Sequence, residues 1–255
     1  LLARRVATAA VLAPLVLAAI AVGGAAVYAV LLLVGVAAAY ELSRALAFPF
    51  AAALVAVLAP PALALFFGAG GVLGGLLLGV PWALAWLVAL PRLRDERALL
   101  GLLLASVWVG APLGFLALIL GLEHGRAMLL LAVVGSWVSD AGAYFCGLAA
   151  GRHRIFPVLS PAKTLEGSLG GLLATALCGG VAGSFLPDLS PSLGLLLGAT
   201  VSLASQAGDL FESALKRILG VKDLGSLLPG HGGILDRIDS LLFVAPTVYY
   251  LLLLA

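Results

Sequence analysis

SLASQAGDLFESALKRILGVKDLGSLLPGHGGILDRIDS, residues 202–240, is the stretch on which the fold turns. It carries five of the chain's twelve acidic residues and four of its fourteen basic ones, in a chain that is otherwise almost entirely apolar. Steps of three and four link Ser202, Ser205, Gln206, Asp209, Glu212, Ser213 and Lys216, so a helix through the first half gathers them on one face. Leu203, Ala207, Leu210, Ala214 and Leu215 occupy the face between. Pro229-Gly230-His231-Gly232-Gly233 then interrupts the helix. Asp236 and Asp239, three apart, share a face of the next one. A solvated loop has no need to set carboxylates at helical spacing on apolar helices. Two polar helix faces joined by a Gly-rich, Lys-bearing loop suit an anion and a metal.

The rest of the chain says where this segment sits. Apolar residues make up 63% and charged residues 10%, with a mean hydropathy of +1.21. A soluble domain is about half apolar and a quarter charged, so the expected class is an all-α polytopic integral membrane protein. A net charge of +2 is too small to imply a nucleic-acid partner. Cys146 and Cys178 both lie in apolar runs and read as small buried hydrophobes, not as a disulfide or a zinc site. The opening LLARRVATAAVLAPLVLAAI resembles a signal peptide, but further spans follow at once, so a retained first helix is expected.

A span needs about 20 mostly apolar residues. Nine are expected, at 6–22, 24–40, 51–67, 70–90, 98–120, 127–149, 166–187, 192–215 and 237–255. They group into N-terminal helices over 1–125 (about five spans) and a catalytic part over 126–255 (about four). Gly23-Gly24 allows a tight hairpin or one long helix, and Pro14, Pro81 and Pro112 are candidate kinks. Alternating sides from the N-terminus puts Arg4, Arg5, Arg44, Arg92, Arg94, Arg97, Arg152, Arg154, Lys163, Lys216, Arg217, Lys222 and Arg237 together, and Arg126 alone opposite. That asymmetry follows the positive-inside rule. It predicts a cytoplasmic N-terminus, an external C-terminus and a cytoplasmic 202–240 segment.

The first 125 residues carry little chemistry. Glu41 and Arg44 either pair with each other at the interface or reach the site. Asp95 and Glu96 read as a solvated turn among arginines, Glu123-His124 as an external loop, and His124 and His153 as surface residues. Asp140 is different, because a carboxylate inside a span costs about 2.5–3.5 kcal/mol and is a functional candidate by default. Ser136, Asp140, Tyr144 and Gly147 fall on one face, which either binds Asp140 locally or meets the Asp209 helix across a polar cavity. In GRHRIFPVLSPAKTLEGSLGG, residues 151–171, Ser160-Pro161 fits a helix start, whose free N–H groups suit phosphate. Lys163 and Thr164 add a cation and a hydroxyl, and Glu166 either caps the helix or holds the lysine.

Collected on one side are Asp140, Lys163, Glu166, Asp209, Glu212, Lys216, Arg217, Lys222, Asp223, His231, Asp236, Arg237 and Asp239. Oxygen ligands beside substrate phosphates suit magnesium, and the basic residues would neutralise remaining phosphate charge. No His/Cys cluster favours a transition metal, and neither a hydrolase nucleophile elbow nor a Walker loop is present. His231 could bind phosphate, move a proton or make the turn. Phosphate chemistry on a lipid follows, with a cytoplasmic phosphate donor. An ion-coupled transporter is the contrasting reading, and it calls for inverted repeats and a pathway open to both faces. The polar residues instead bunch on one side.

The run Ser213-Ala-Leu-Lys216-Arg217, Lys222-Asp223, Pro229-Gly230-His231-Gly232-Gly233 and Asp236-Arg237-Ile238-Asp239 resembles the signature of the phosphatidate cytidylyltransferases, the CDP-diacylglycerol synthases. Asp140-Ala-Gly-Ala143-Tyr144 with Gly147, Ser160 through Gly167, and Ser205 through Ser213 resemble further blocks of that family, so the likeness in motifs covers about 135–240. Leu148 and Ala162 depart from it, standing where the family tends to carry basic residues. The resemblance implies CTP and phosphatidic acid as substrates, CDP-diacylglycerol and pyrophosphate as products, and a bacterial inner membrane. It implies Asp209, Asp236 and Asp239 as magnesium ligands, with room for a second cation and Asp140 in support. Lys163, Lys216, Arg217 and Lys222 would hold phosphates, and Thr164, Glu166, Ser205, Gln206, Ser213, Asp223, His231 and Arg237 would line the substrates. Family likeness also suggests a homodimer. A CTP-dependent lipid kinase, or a cytidylyltransferase for another lipid phosphate, is the nearer alternative.

Overall fold

The computed structural model describes residues 2–89, 96–186, 189–228 and 232–254, and within them all side chains except those of 2–7, 9, 80, 83, 87 and 96. The elements are α1 (Leu2–Val22), α2 (Gly24–Ala45), α3 (Phe50–Ala89), α4 (Glu96–Leu103), α5 (Ala111–Leu120), α6 (Gly125–Ala150), β1 (Arg154–Phe156), β2 (Ser160–Thr164), α7 (Leu165–Gly183), α8 (Pro191–Leu219) and α9 (Leu235–Leu254). A π-helical turn, Leu104–Gly110, joins α4 to α5. The class is all-α and polytopic, with one short antiparallel hairpin that the sequence pattern did not announce.

Among the described residues seven helices are long and apolar enough to cross a bilayer, and α1 adds a shorter apolar stretch, Ala10–Val22. The expected nine differ from seven because two expected spans fall within the single helix α3 and the first, 6–22, corresponds to that shorter stretch. A straight helix of its 37 apolar residues would reach about 55 Å, against a hydrocarbon core of about 30 Å. Gly68, at φ 59° and ψ −140°, breaks it into two legs. The bend therefore falls at a glycine and not at Pro81, while Pro112 sits in the first turn of α5 beside the π turn. Gly23, at φ +74°, separates α1 from α2 with a single residue. Arg126 closes that corner, its guanidinium donating to Ala21 O at 3.2 Å, near the C-terminal end of the α1 dipole. Arg92, Arg94, Asp95 and His231 lie outside the described residues.

The chain forms two compact units, Leu1–Arg126 with Asp223–Ile238, and Ala127–Lys222 with Asp239–Ala255. In the first, α3 packs against α2, α4, the π turn and α5. Its core is largely alanine and glycine, with Ala38, Ala39, Ala52, Ala53 and Ala56 fully buried. A Cβ at Gly110 would meet the carbonyls of Ala56 and Val57 at 2.8 and 2.9 Å. In the second unit, α7 and α8 run backbone against backbone. A Cβ at Gly198 would strike the Thr175 carbonyl, and one at Gly179 the Gly194 carbonyl. Small residues drive this approach because lipid supplies no hydrophobic force between helices. Gly198→Val should therefore cost about 1–3 kcal/mol through overpacking, read as a lowered melting temperature in detergent. An unchanged melt would mean that the seam is not tight.

The outer faces are greasy. Leu169, Leu173, Leu177 and Val181 form an exposed stripe on α7. On α8 Leu203 and Ile218 point outward while Ser202, Ser205 and Glu212 are buried. In a helix of membrane length an apolar run faces acyl chains as readily as a core. Cys146 accordingly is exposed, not the buried hydrophobe expected, and Cys178 is half-buried.

Candidate active site

The hairpin feeds α7. Thr164 is its N-cap, the hydroxyl accepting from Gly167 N at 3.1 Å. The helix thus starts four residues after Ser160-Pro161, because residues 160–164 pair with β1 as a strand. Gly147 and Gly151 leave room for the Thr164 hydroxyl, which a Cβ would meet at 3.3 and 2.9 Å. Glu166 neither caps α7 nor holds Lys163. Its Oε2 accepts from the N–H groups of Arg152 (3.0 Å) and His153 (3.2 Å), and its Oε1 lies 2.6 Å from His153 Nδ1. His153 is exposed as expected, but it has a partner. These contacts tie the end of α6 to the start of α7.

Lys163 turns instead to α8, with Nζ 2.7 Å from Asp209 Oδ2. The polar stripe read from spacing is present along α8, and all its members but Ser205 make a polar contact. Gln206 donates to Ser168 O and to Ser202 Oγ, both at 3.1 Å. Ser139 on α6 and Ser202 share a hydrogen bond of 2.8 Å. Ser213 donates to Asp209 Oδ1 at 3.5 Å. Lys216 Nζ lies 2.7 Å from Glu212 Oε2, an i,i+4 pair on a carboxylate that is 3% exposed. Ser205 Oγ is fully buried with no hydrogen-bond partner among the described residues. Gly220, at φ +68°, ends the helix, its N–H donating to the carbonyls of Arg217 and Lys216.

Gly208 brings α9 against this stripe. A Cβ there would meet Asp239 O at 2.5 Å and Ser240 Cα at 2.9 Å. Asp239 consequently lies within electrostatic reach of Asp209 and Lys216 and at hydrogen-bonding distance from Glu212. On α6, Gly135 packs on Val201, Ser139 bonds Ser202 and Gly142 packs on Gly171. Close approach selects the small side chains at 135, 139 and 142, while on the neighbouring face Ser136 is buried and Asp140 and Tyr144 are exposed.

The first unit holds the remaining acids. Leu228 pairs with Gly232, its N–H donating to Gly232 O at 2.9 Å. Gly232 adopts φ +83°, and a Cβ on it would meet Asp236 Oδ2 at 2.9 Å and Asp223 Oδ1 at 3.4 Å, so two carboxylates flank one glycine. Asp236 is buried and accepts from Leu224 N (3.4 Å) and Gly233 N (2.6 Å). Glu41 on α2 accepts from Leu227 N and Leu235 N and does not pair with Arg44, which is exposed. Spacing arguments could not find this, because backbone donors leave no mark in a sequence. Arg217, Lys222 and Arg237 are exposed.

Among the described residues no three His, Cys, Asp or Glu side chains gather closely enough to hold a metal. The acids come in pairs, Glu212 with Asp239, within electrostatic reach of Asp209, in one unit, and Asp223 with Asp236 in the other. Two carboxyls at hydrogen-bonding distance share either a proton or a cation. An all-oxygen donor set fits a hard divalent ion and not zinc.

Helices of membrane length with a partly buried polar stripe along α8 define a polytopic membrane protein. The chain belongs to the cytidylyltransferase family, whose sequence model matches residues 3–255. It is similar to a protein named phosphatidate cytidylyltransferase from Staphylococcus aureus, 42% identical over 153 residues, which is 59% of this chain and 58% of that protein. Proteins of the same name from Staphylococcus epidermidis and Staphylococcus saprophyticus are 44% identical over the same length. The matched region thus spans a little under three fifths of those relatives.

Proposed function

We propose that the chain transfers the cytidylyl group of CTP to phosphatidic acid, giving CDP-diacylglycerol and pyrophosphate. The observation that carries this reading is the Lys163–Asp209 pair packed beside Asp239 and Glu212 in a chain of the cytidylyltransferase family. A phosphate oxygen of the lipid attacks the α-phosphorus of CTP. A new P–O bond forms, the bond to the bridging oxygen breaks, and pyrophosphate leaves with the electron pair. The nucleophile is already an anion, so positioning and charge neutralisation do most of the work.

Asp209 and Asp239 would hold magnesium, and Asp236, the acid in the first turn of α9, is the third ligand that the resemblance implies. Bound there, the ion would neutralise phosphate charge and orient the leaving group. Lys163 fixes Asp209, and Lys216 fixes Glu212. Arg217, Lys222 and Arg237, all exposed, and His231 would meet triphosphate or lipid phosphate, and Asp140 would support the magnesium ligands. The asymmetry of basic residues supports a site facing the cytoplasm, where CTP is available, and a bacterial inner membrane is the expected location. A homodimer is the expected assembly.

Purified protein in detergent is incubated with phosphatidic acid, magnesium and CTP labelled at the α-phosphorus. Magnesium-dependent label in the extracted lipid, absent from Asp239→Ala, is the expected result. Unlabelled lipid with released CDP would make the protein a CTP-dependent kinase or a nucleotidase. Intact CTP would point to a different lipid phosphate.

A further inference from the structure

Glu41 lies in α2, far along the chain from the polar segment, and is 2% exposed. Its two carboxylate oxygens are taken by one loop, Leu227 N donating to Oε1 at 3.3 Å and Leu235 N to Oε2 at 3.0 Å. Leu235 opens α9. The first N–H groups of a helix have no partner within it, and a carboxylate there also meets the positive end of the dipole. Glu41 thus supplies from α2 the acceptor that an N-cap supplies from within the chain. Two glycines admit it, since a Cβ at Gly225 or at Gly233 would run into the carboxylate. Asp236 grips the same loop through Leu224 N and Gly233 N. Four backbone amides of residues 224–235 therefore converge on two carboxylates. A charge this deep is unfavourable unless its lone pairs are filled, and charge-assisted bonds to these amides fill them. A surface pair with Arg44 would need no such burial.

We propose that Glu41 is a positioning residue of the active site, whose carboxylate sets the 223–238 loop and the first turn of α9, and through them Asp236, in the geometry that cytidylyl transfer needs. The proposal rests on the function proposed above. Glu41→Gln keeps the shape but replaces one acceptor by an NH2 group, which then faces a backbone N–H, donor against donor. Gly225→Ala disturbs the same contact from the loop side.

The full chain is compared in detergent as wild type, Glu41→Gln and Gly225→Ala, by amide hydrogen exchange and by steady-state transfer. Both variants should exchange about tenfold faster or more in peptides covering 224–235, with peptides of α5 and α8 unchanged. Their kcat should fall about tenfold or more, while KM for phosphatidic acid stays within about twofold. Wild-type exchange at 224–235 in Glu41→Gln overturns the proposal. So does faster exchange there with undiminished kcat, and so does faster exchange throughout α5 and α8, which would make Glu41 a determinant of the whole fold. A wild-type chain that transfers no cytidylyl group would remove the underlying function, while exchange at 224–235 would still report whether Glu41 holds the loop.

Discussion

Asp209→Asn should lower cytidylyl transfer by about 10²–10³-fold at saturating CTP and flatten its dependence on magnesium. Asparagine keeps the volume and an oxygen that can still accept from Lys163, so the loss is one of charge. Breaking a fully buried ion pair costs about 3–5 kcal/mol, but the Asp209 side chain is 38% exposed, which brings the stability term down to about 1 kcal/mol or less. The catalytic effect should therefore far exceed the structural one, and a melting temperature close to wild type would separate them. The check is turnover across a magnesium titration, beside a thermal melt in the same detergent. Wild-type turnover at limiting magnesium would mean that Asp209 holds no cation.

How far the sequence led depends on what each feature leaves in it. The α8 stripe was legible because period 3.6 places Ser202, Ser205, Gln206, Asp209, Glu212, Ser213 and Lys216 on one side whatever surrounds them. The side itself had to be inferred. In lipid the polar stripe turns inward, so Ser202, Ser205 and Glu212 are buried and Leu203 is exposed. Asp236 and Asp239 on one turn of α9 were legible by the same rule. Their partners were not, for Asp236 spends its oxygens on the amides of Leu224 and Gly233, which any residue type could offer. The same blindness left Glu41 open between a pair with Arg44 and a reach to the site, because the Leu227 and Leu235 amides that bind it leave no mark in the sequence. On α6 polarity draws attention to Asp140, whereas the close packing is made by the smallest side chains, Gly135, Ser139 and Gly142, which spacing alone does not single out. Lys163 beside Asp209 is a tertiary contact between β2 and α8, and no periodicity predicts which acid a lysine will choose.

Gly208→Ala should damage both stability and rate, although it adds a single methyl group. The new Cβ would lie 2.5 Å from Asp239 O and 2.9 Å from Ser240 Cα. Both are backbone atoms of α9, so no side chain can swing aside to admit it. Reaching an ordinary contact requires α8 and α9 to part by about 1 Å, and overpacking of that kind costs about 1–3 kcal/mol. Asp209 is the next residue on α8, and Asp239 is the residue pushed away, so the separation falls directly on the acid pair. A displacement near 1 Å at reacting groups costs about 10²-fold in rate. Helix propensity works the other way, since alanine in place of glycine gains about 1 kcal/mol within a helix. Gly74→Ala isolates that gain, because its nearest neighbour, Leu63 Cδ1, would stand at a comfortable 3.8 Å. The two variants should therefore shift the melting temperature in opposite directions, and only Gly208→Ala should lose transfer activity. If Gly208→Ala proves as stable and as active as Gly74→Ala, then the α8–α9 approach is looser than the backbone contact requires, and the proximity of Asp209 to Asp239 does not depend on the missing side chain at 208.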